Sequence, residues 1–198
     1  MSDFDAAFLF LEATAGPEDA YVVIDQPGAR TALAWRPDPW AAARTAAELA
    51  AGGVRLIELY RGFDLNSAAR VIEAVDGRAP VGLAMAAEPP GGRVRRSATI
   101  YADETAEPDA DRVVREHPDG GITWVVAATD ADIVGLATRL VDDGAELVEI
   151  CGGTPLVSAA RVAAAVGDRA AVTLVSWPFE SIDGVAAYKA TFDTAVGR

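Results

Sequence analysis

The sequence predicts an α/β protein made of two copies of one βαβαβαβ module, with a mainly parallel sheet. Three observations carry that expectation. The chain repeats itself at a fixed spacing, short apolar strands alternate with Ala-rich helical stretches, and Gly and Pro fall where caps and turns require them.

The repeat runs at a spacing of 91 positions without a gap. Gly53, Glu58, Gly62, Arg70 and Arg78 recur as Gly144, Glu149, Gly153, Arg161 and Arg169. Ser67-Ala68-Ala69-Arg70-Val71 recurs as Ser158-Ala159-Ala160-Arg161-Val162, and Thr14, Ala15 and Pro17 recur as Thr105, Ala106 and Pro108. Chance in an Ala-rich chain would match alanines. Here Gly, Pro, Glu and Arg match as well. The expected division is 1–92 for module one and 93–198 for module two, with the turn-rich Ala87-Glu88-Pro89-Pro90-Gly91-Gly92-Arg93 at the boundary.

Period-two patterns predict strands in module one at about 6–12, 31–36, 54–60 and 80–85, with counterparts near 97–102, 122–127, 145–151 and 171–177. Helical patterns fall at about 17–25, 39–52 and 65–75. Pro17 and Pro39 suit a first helical turn, where a missing N–H costs nothing. Gly53 and Gly144 suit a left-handed C-cap. Residues 181–198 read as a closing helix around Ala186–Ala190 that module one lacks. Strands recurring roughly every 24 residues leave room for a helix and two short loops, which favours right-handed parallel crossovers. Eight such strands allow a (βα)8-barrel-like unit with pseudo-twofold symmetry, or two small sheets packed together. A four-stranded module leaves edges and an uncovered face, so one intimate unit is the preferred expectation.

Composition narrows the class. Hydrophobic residues make up 51% and charged residues 24%, an ordinary globular balance. The net charge is −13, from 30 acids and 17 bases. A nucleic-acid partner needs a basic face, and the densest basic stretch, Arg93 to Arg96, reads as a solvated linker. The single cysteine, Cys151, rules out an intramolecular disulfide. The start Met-Ser-Asp-Phe-Asp has no basic leader region, and no apolar run is long enough to span a bilayer. The expectation is a cytoplasmic protein without a membrane segment. No GxGxxG or Walker A pattern occurs, so no nucleotide or redox cofactor is expected.

The third strand of each half resembles a known family. Leu147-Val148-Glu149-Ile150-Cys151-Gly152-Gly153-Thr154, its counterpart Leu56-Ile57-Glu58-Leu59-Tyr60-Arg61-Gly62-Phe63, the later Pro80-Val81-Gly82 and the tail Phe179-Glu180-Ser181-Ile182-Asp183-Gly184 look like the bacterial domain of unknown function 6506. The resemblance covers nearly the whole chain and implies two tandem modules without implying an activity. Tyr60-Arg61 stands where the family pattern has Cys-Gly, and Thr154 where it has Phe.

Chemistry is expected beyond the carboxyl ends of the strands, where parallel α/β folds bind ligands. Alternation puts Glu58 and Tyr60 on one face of their strand, and Glu149 and Cys151 on the equivalent face. A glutamate within an apolar strand is costly unless it is paired or used. As a functional pair, Glu58 and Glu149 would line a pocket and burial would raise the pKa of one for acid–base work. As a structural pair they would be neutralised by Arg70 and Arg161.

Cys151 reads either as a nucleophile near a helix N-terminus or as a small residue at a tight turn. Gly152, Gly153 and Thr154 could present N–H groups to a substrate anion, with Arg61 supplying charge in the other half. Of Trp35, Trp40, Trp124 and Trp177, the first and last fall near strand ends and read as an aromatic wall for an apolar ligand or as core packing. His117 is expected to be a solvent-facing cap, and no metal site is expected. Arg36, Tyr60, Arg61, Cys151 and Trp177 differ between the halves and are the specificity candidates. The expected function is small-molecule acid–base catalysis (elimination, isomerisation or cyclisation). The alternative is a non-catalytic ligand-binding or interaction protein. Oligomeric state is not legible.

Overall fold

A computed structural model describes residues 4–26, 29–85 and 94–195. The boundary linker and Arg93 lie outside the described residues. The chain forms two compact units: Met1–Leu83 with Ser176–Arg198, and Ala84–Val175.

The first unit contains β1 (Ala6–Leu11), β2 (Val22–Gln26), β3 (Ala29–Arg36), α1 (Pro39–Gly52), β4 (Leu56–Leu59), α2 (Leu65–Val75) and β5 (Val81–Ala84). The second contains β6 (Arg96–Ala102), β7 (Arg112–Glu116), β8 (Ile122–Ala128), α3 (Ile133–Asp142), β9 (Leu147–Ile150), α4 (Leu156–Val166) and β10 (Ala171–Ser176). The closing helix α5 (Ile182–Ala195) belongs to the first unit.

The strand order is β2-β3-β1-β4-β5 in one unit and β7-β8-β6-β9-β10 in the other, the same order under the 91-residue register. The pairings β3-β1-β4-β5 and β8-β6-β9-β10 are parallel, and β2 and β7 are antiparallel edges. Two expectations are corrected. The helix expected at 17–25 is absent, and its second half is β2. Val22, Val23 and Ile24 are β-branched and favour a half-exposed strand over a helix, whatever Pro17 suggests. The described strands number ten instead of eight for the same reason. In addition, β1 lies between β3 and β4. A (βα)8 barrel pairs its strands in chain order, so neither unit has barrel connectivity.

Local signals explain the helices. Pro39 is at the start of α1, and the Asp38 carboxylate accepts from the N–H of Trp40 and Ala41 at 2.8 Å. Gly53 ends the helix at φ 107°, a conformation glycine adopts without a Cβ penalty. Asp64 and Ser67 form a capping box on α2. Alternation then sorts the strands into two faces. Ala7, Leu9, Ala32, Ala34, Ile57, Leu59 and Val81 pack against Ala42, Ala46 and Leu49 of α1 and Ala68, Val71 and Val75 of α2. The second unit does the same with Ala98, Ile100, Val126, Val148 and Ile150 against α3 and α4. Small alanines let helix lie close on sheet. Each fully buried Leu or Ile here contributes about 1.5–3 kcal/mol.

Candidate functional site

The residues left over from the helix packing lie on the opposite face of each sheet, and there the two units differ. In the first unit that face is aromatic. Phe10 stacks on Trp35 with centroids 4.9 Å apart and on Tyr60 at 5.5 Å, and Phe8 meets Tyr60 edge-on at 5.1 Å. Glu58, 2% exposed, sits in register between Phe8 on β1 and Gly82 on β5. The Tyr60 hydroxyl donates to its carboxylate. A donor two residues along the same face is what alternation provides.

In the second unit the same face is lined with hydroxyls. Glu149, also 2% exposed, sits in register between Thr99 on β6 and Thr173 on β10. Thr99 is 0% exposed, and its Oγ1 has no hydrogen-bond partner among the described residues. Thr173 Oγ1 donates to the Met85 carbonyl at 2.7 Å. Lower on the face, Ser97 and Thr123 share a hydrogen bond at 3.3 Å, and His117 Nε2 meets Thr123 Oγ1 at 2.8 Å. His117 is therefore buried and bonded in the β7–β8 turn, which corrects the expected solvent-facing cap.

At the carboxyl end of this face, Cys151 Sγ accepts from the Ala102 N–H at 3.3 Å and lies 3.5 Å from Thr154 Oγ1. Burial, then Asp111, Asp103 and Cys151, raise the Tyr101 phenol well above its ordinary value, so it stays neutral. Gly152 and Gly153 do not adopt positive φ, so their N–H groups do not form the left-handed nest that cradles anions. Thr154 is buried.

The arginines expected to neutralise the glutamates are engaged elsewhere, which corrects that reading. Arg70 stacks on Trp40, 3.4 Å from the ring centroid. Arg161 bridges Asp130 at 2.9 Å and donates to Ser158 Oγ at 2.8 Å. Ser158, then Arg161, hold the Asp130 carboxyl below its ordinary value of 3.8. Both arginines lie on the helix layer, and Glu58 and Glu149 face away from it. Arg36 likewise points to the helix side. It is buried, and its guanidinium donates to Thr45 Oγ1 at 2.6 Å and to the Trp35 and Asp19 carbonyls at 2.6 and 3.2 Å. Arg61 is half-buried just past β4, its carbonyl accepting from Leu11 N–H at 3.0 Å. Trp177 is half-buried just past β10.

A cleft of about 640 Å³ opens in the first unit at the amino-terminal ends of β4 and β5, between Arg55, Asp76, Arg78 and Pro80 and the α5 side chains Asp183 and Tyr188. None of the expected site residues lines it. Its arginines already serve the fold: Arg55 bridges Asp5 at 2.7 Å and caps the Tyr188 ring, and Arg78 donates to the Val75 and Ala74 carbonyls at the end of α2. The hydroxyl-lined face is the better candidate because its polar groups are buried.

Sequence reading missed Thr99, Thr173, Ser97 and Thr123. The signal was present in the alternation Ser97-Ala98-Thr99-Ile100-Tyr101, which puts every polar side chain on one face. No helix of the described residues is long and apolar enough to cross a membrane, and no group of three or more His, Cys, Asp or Glu among them is placed to hold a metal ion.

Two solved structures overlap weakly. Unliganded arylmalonate decarboxylase is 13% identical with a TM-score of 0.29, over 94% of this chain and 92% of that one. The ABC domain in complex with L-Trp from Streptococcus pneumonia is 10% identical with a TM-score of 0.28, over 99% and 86%. No curated protein matches. A family model matches twice, over residues 4–97 and 95–190, and the chain thus belongs to the family of unknown function DUF6506, with two of its domains in tandem.

Proposed function

We propose that this chain is a cytoplasmic small-molecule-binding protein whose second unit does acid–base chemistry without a redox cofactor. Glu149 is the base of an elimination, isomerisation or cyclisation, with Cys151 beside it. The observation that carries this is the row Thr99–Glu149–Thr173, a buried carboxyl group flanked in register by two hydroxyls, of which that of Thr99 has no hydrogen-bond partner among the described residues. A buried polar group left unsatisfied costs stability, and a bound molecule that supplies the partner offsets that cost.

The corresponding row in the first unit is Phe8–Glu58–Gly82, closed by the Tyr60 hydroxyl. We read the units as copies of one duplicated module, in which the first copy holds the fold and the second carries the chemistry. Unequal environments are how two like carboxyl groups take different roles.

The test is a metabolite panel screened by thermal shift and native mass spectrometry, followed by NMR of the hits for turnover. Glu149→Gln should abolish turnover with the fold intact, and Glu58→Gln should not. Turnover that survives Glu149→Gln overturns the catalytic reading. Binding without turnover of any hit points to the non-catalytic ligand-binding protein instead.

A further inference from the structure

Strand β7 is an open edge. It pairs with β8 on one side, and no described strand pairs with it on the other. In an antiparallel ladder the residues alternate: one turns both its N–H and its C=O towards the neighbouring strand, and the next turns both away. Two bonds fix which is which. The Ala127 N–H donates to the Asp111 carbonyl at 3.0 Å, and the His117 N–H donates to the Gly121 carbonyl at 2.8 Å. Residues 111, 113, 115 and 117 therefore bond towards β8, and Arg112, Val114 and Glu116 turn their backbone groups outward. The side chains of these three share one face, and all three are exposed, Val114 by 43%. Among the described residues nothing bonds to the Arg112 guanidinium or to the Glu116 carboxylate.

From this edge we infer that two copies of the chain associate through β7, antiparallel about a two-fold axis at Val114. Arg112-Val113-Val114-Arg115-Glu116 is self-complementary in that arrangement. Val114 lies opposite its own copy, and Arg112 lies opposite Glu116 of the second copy, twice by symmetry. All of these are outward residues, so each pair exchanges hydrogen bonds in both directions. The exposed valines meet at the centre, and opposite charges stand directly across the ladder, where like charges would be destabilising. The charges also set the register. Moving the axis to Val113 or Arg115 would set Arg112 or Glu116 against Val114 and lose both charge pairs. Two copies at −13 repel at long range, and physiological salt screens that repulsion beyond about 8 Å. The edge itself is not acidic, since residues 112–116 hold two arginines and one glutamate. A single short strand pair makes a small interface, so the dimer is weak and reversible.

The equivalent edge of the first unit lacks this pattern. Under the 91-residue register Arg112 and Glu116 correspond to Tyr21 and Asp25. Tyr21 packs edge-on against Phe4 and lies under the Arg36 guanidinium, and Asp25 is bridged to Arg30 at 2.6 Å. Strand β2 thus offers no self-complementary charges.

The test is sedimentation equilibrium and light scattering of the full chain from micromolar to millimolar concentration. The chain should pass from monomer to dimer and stop there. Val114→Pro removes the outward N–H at the axis, which β8 does not use, and an edge strand tolerates proline at such a position. It should weaken the dimer at least tenfold. Arg112→Glu and Glu116→Arg each set like charges opposite each other, and each should weaken it at least tenfold. The double variant with both substitutions restores opposite charges and should recover the parent's affinity. The charge variants lie on an exposed face, so they decide the matter even if Val114→Pro unfolds the strand. A chain that stays monomeric at millimolar concentration would overturn the inference. So would a dimer that the single charge reversals leave unchanged, a double variant no tighter than the singles, or association that runs on past the dimer.

Discussion

Tyr60→Phe removes one oxygen atom from a residue that is 1% exposed and leaves its ring in place. The stack on Phe10 and the edge contact with Phe8 survive, so lost packing contributes little. What is lost is the hydroxyl that donates to Glu58. Glu58 is buried, as is the ring that carries the donor. Taking a hydrogen-bond donor away from a buried acceptor costs about 1–3 kcal/mol. For a chain of this length each kcal/mol moves the melting temperature by roughly 2–4 °C, so the expected fall is about 2–12 °C. The assay is thermal and urea unfolding of the variant against the parent. The double variant Glu58→Met with Tyr60→Phe removes donor and acceptor together and should recover most of the loss, because replacing both partners with apolar groups is nearly neutral. A single variant within 0.5 °C of the parent would refute the view that Tyr60 holds Glu58 in a structural role.

Other expectations follow from the same geometry. A Cβ on Gly184 would sit 3.1 Å from two atoms of the rigid Pro80 ring, so the overpacking cost of about 1–3 kcal/mol should exceed the roughly 0.5–1 kcal/mol that Ala gains over Gly in a helix, and Gly184→Ala should loosen α5, seen as faster hydrogen exchange there. Tyr101 has a raised pKa, so the folded state holds its proton after the unfolded chain has lost it. Stability should fall above about pH 10, and Tyr101→Phe should flatten that alkaline loss in unfolding curves. Asp64 and Asp130 have depressed values, the first mainly through the Ser67 hydroxyl and the second mainly through Ser158. The stability they add is complete above their ordinary value of 3.8 and is lost as pH falls through the folded values, so Asp64→Asn and Asp130→Asn should each flatten the acid limb.

Much of the fold was legible because its signals are local. Pro39 and Gly53 bracket α1 by first-turn and C-cap chemistry that needs no tertiary context. Gly62, at φ 92° with Leu11 Cβ 2.9 Å from where its own Cβ would be, was visible only as a repeat of Gly153. Its reason is a long-range approach that the sequence does not display. The edge strands β2 and β7 were not legible. A half-exposed antiparallel strand has weak alternation, and Pro17 imitated a helix start.

The site divides in the same way. Alternation correctly put Glu58 with Tyr60 and Glu149 with Cys151, since side-chain face follows from parity alone. The partners of Arg70 and Arg161 depend on which layer a helix occupies, and helix spacing does not reveal that. Thr99 and Thr173 became visible as neighbours of Glu149 only once β9 was seen between β6 and β10, an order that runs against the chain.

The central claim is that the two glutamates, alike in sequence, have different roles. The most direct measurement compares Glu58→Gln and Glu149→Gln for melting temperature and for the thermal shift produced by a hit of the metabolite panel. The account predicts that Glu58→Gln lowers the melting temperature and keeps the ligand shift, while Glu149→Gln loses the ligand shift and stays folded. Equal effects of the two substitutions on both readouts, or loss of the shift in Glu58→Gln alone, would contradict it.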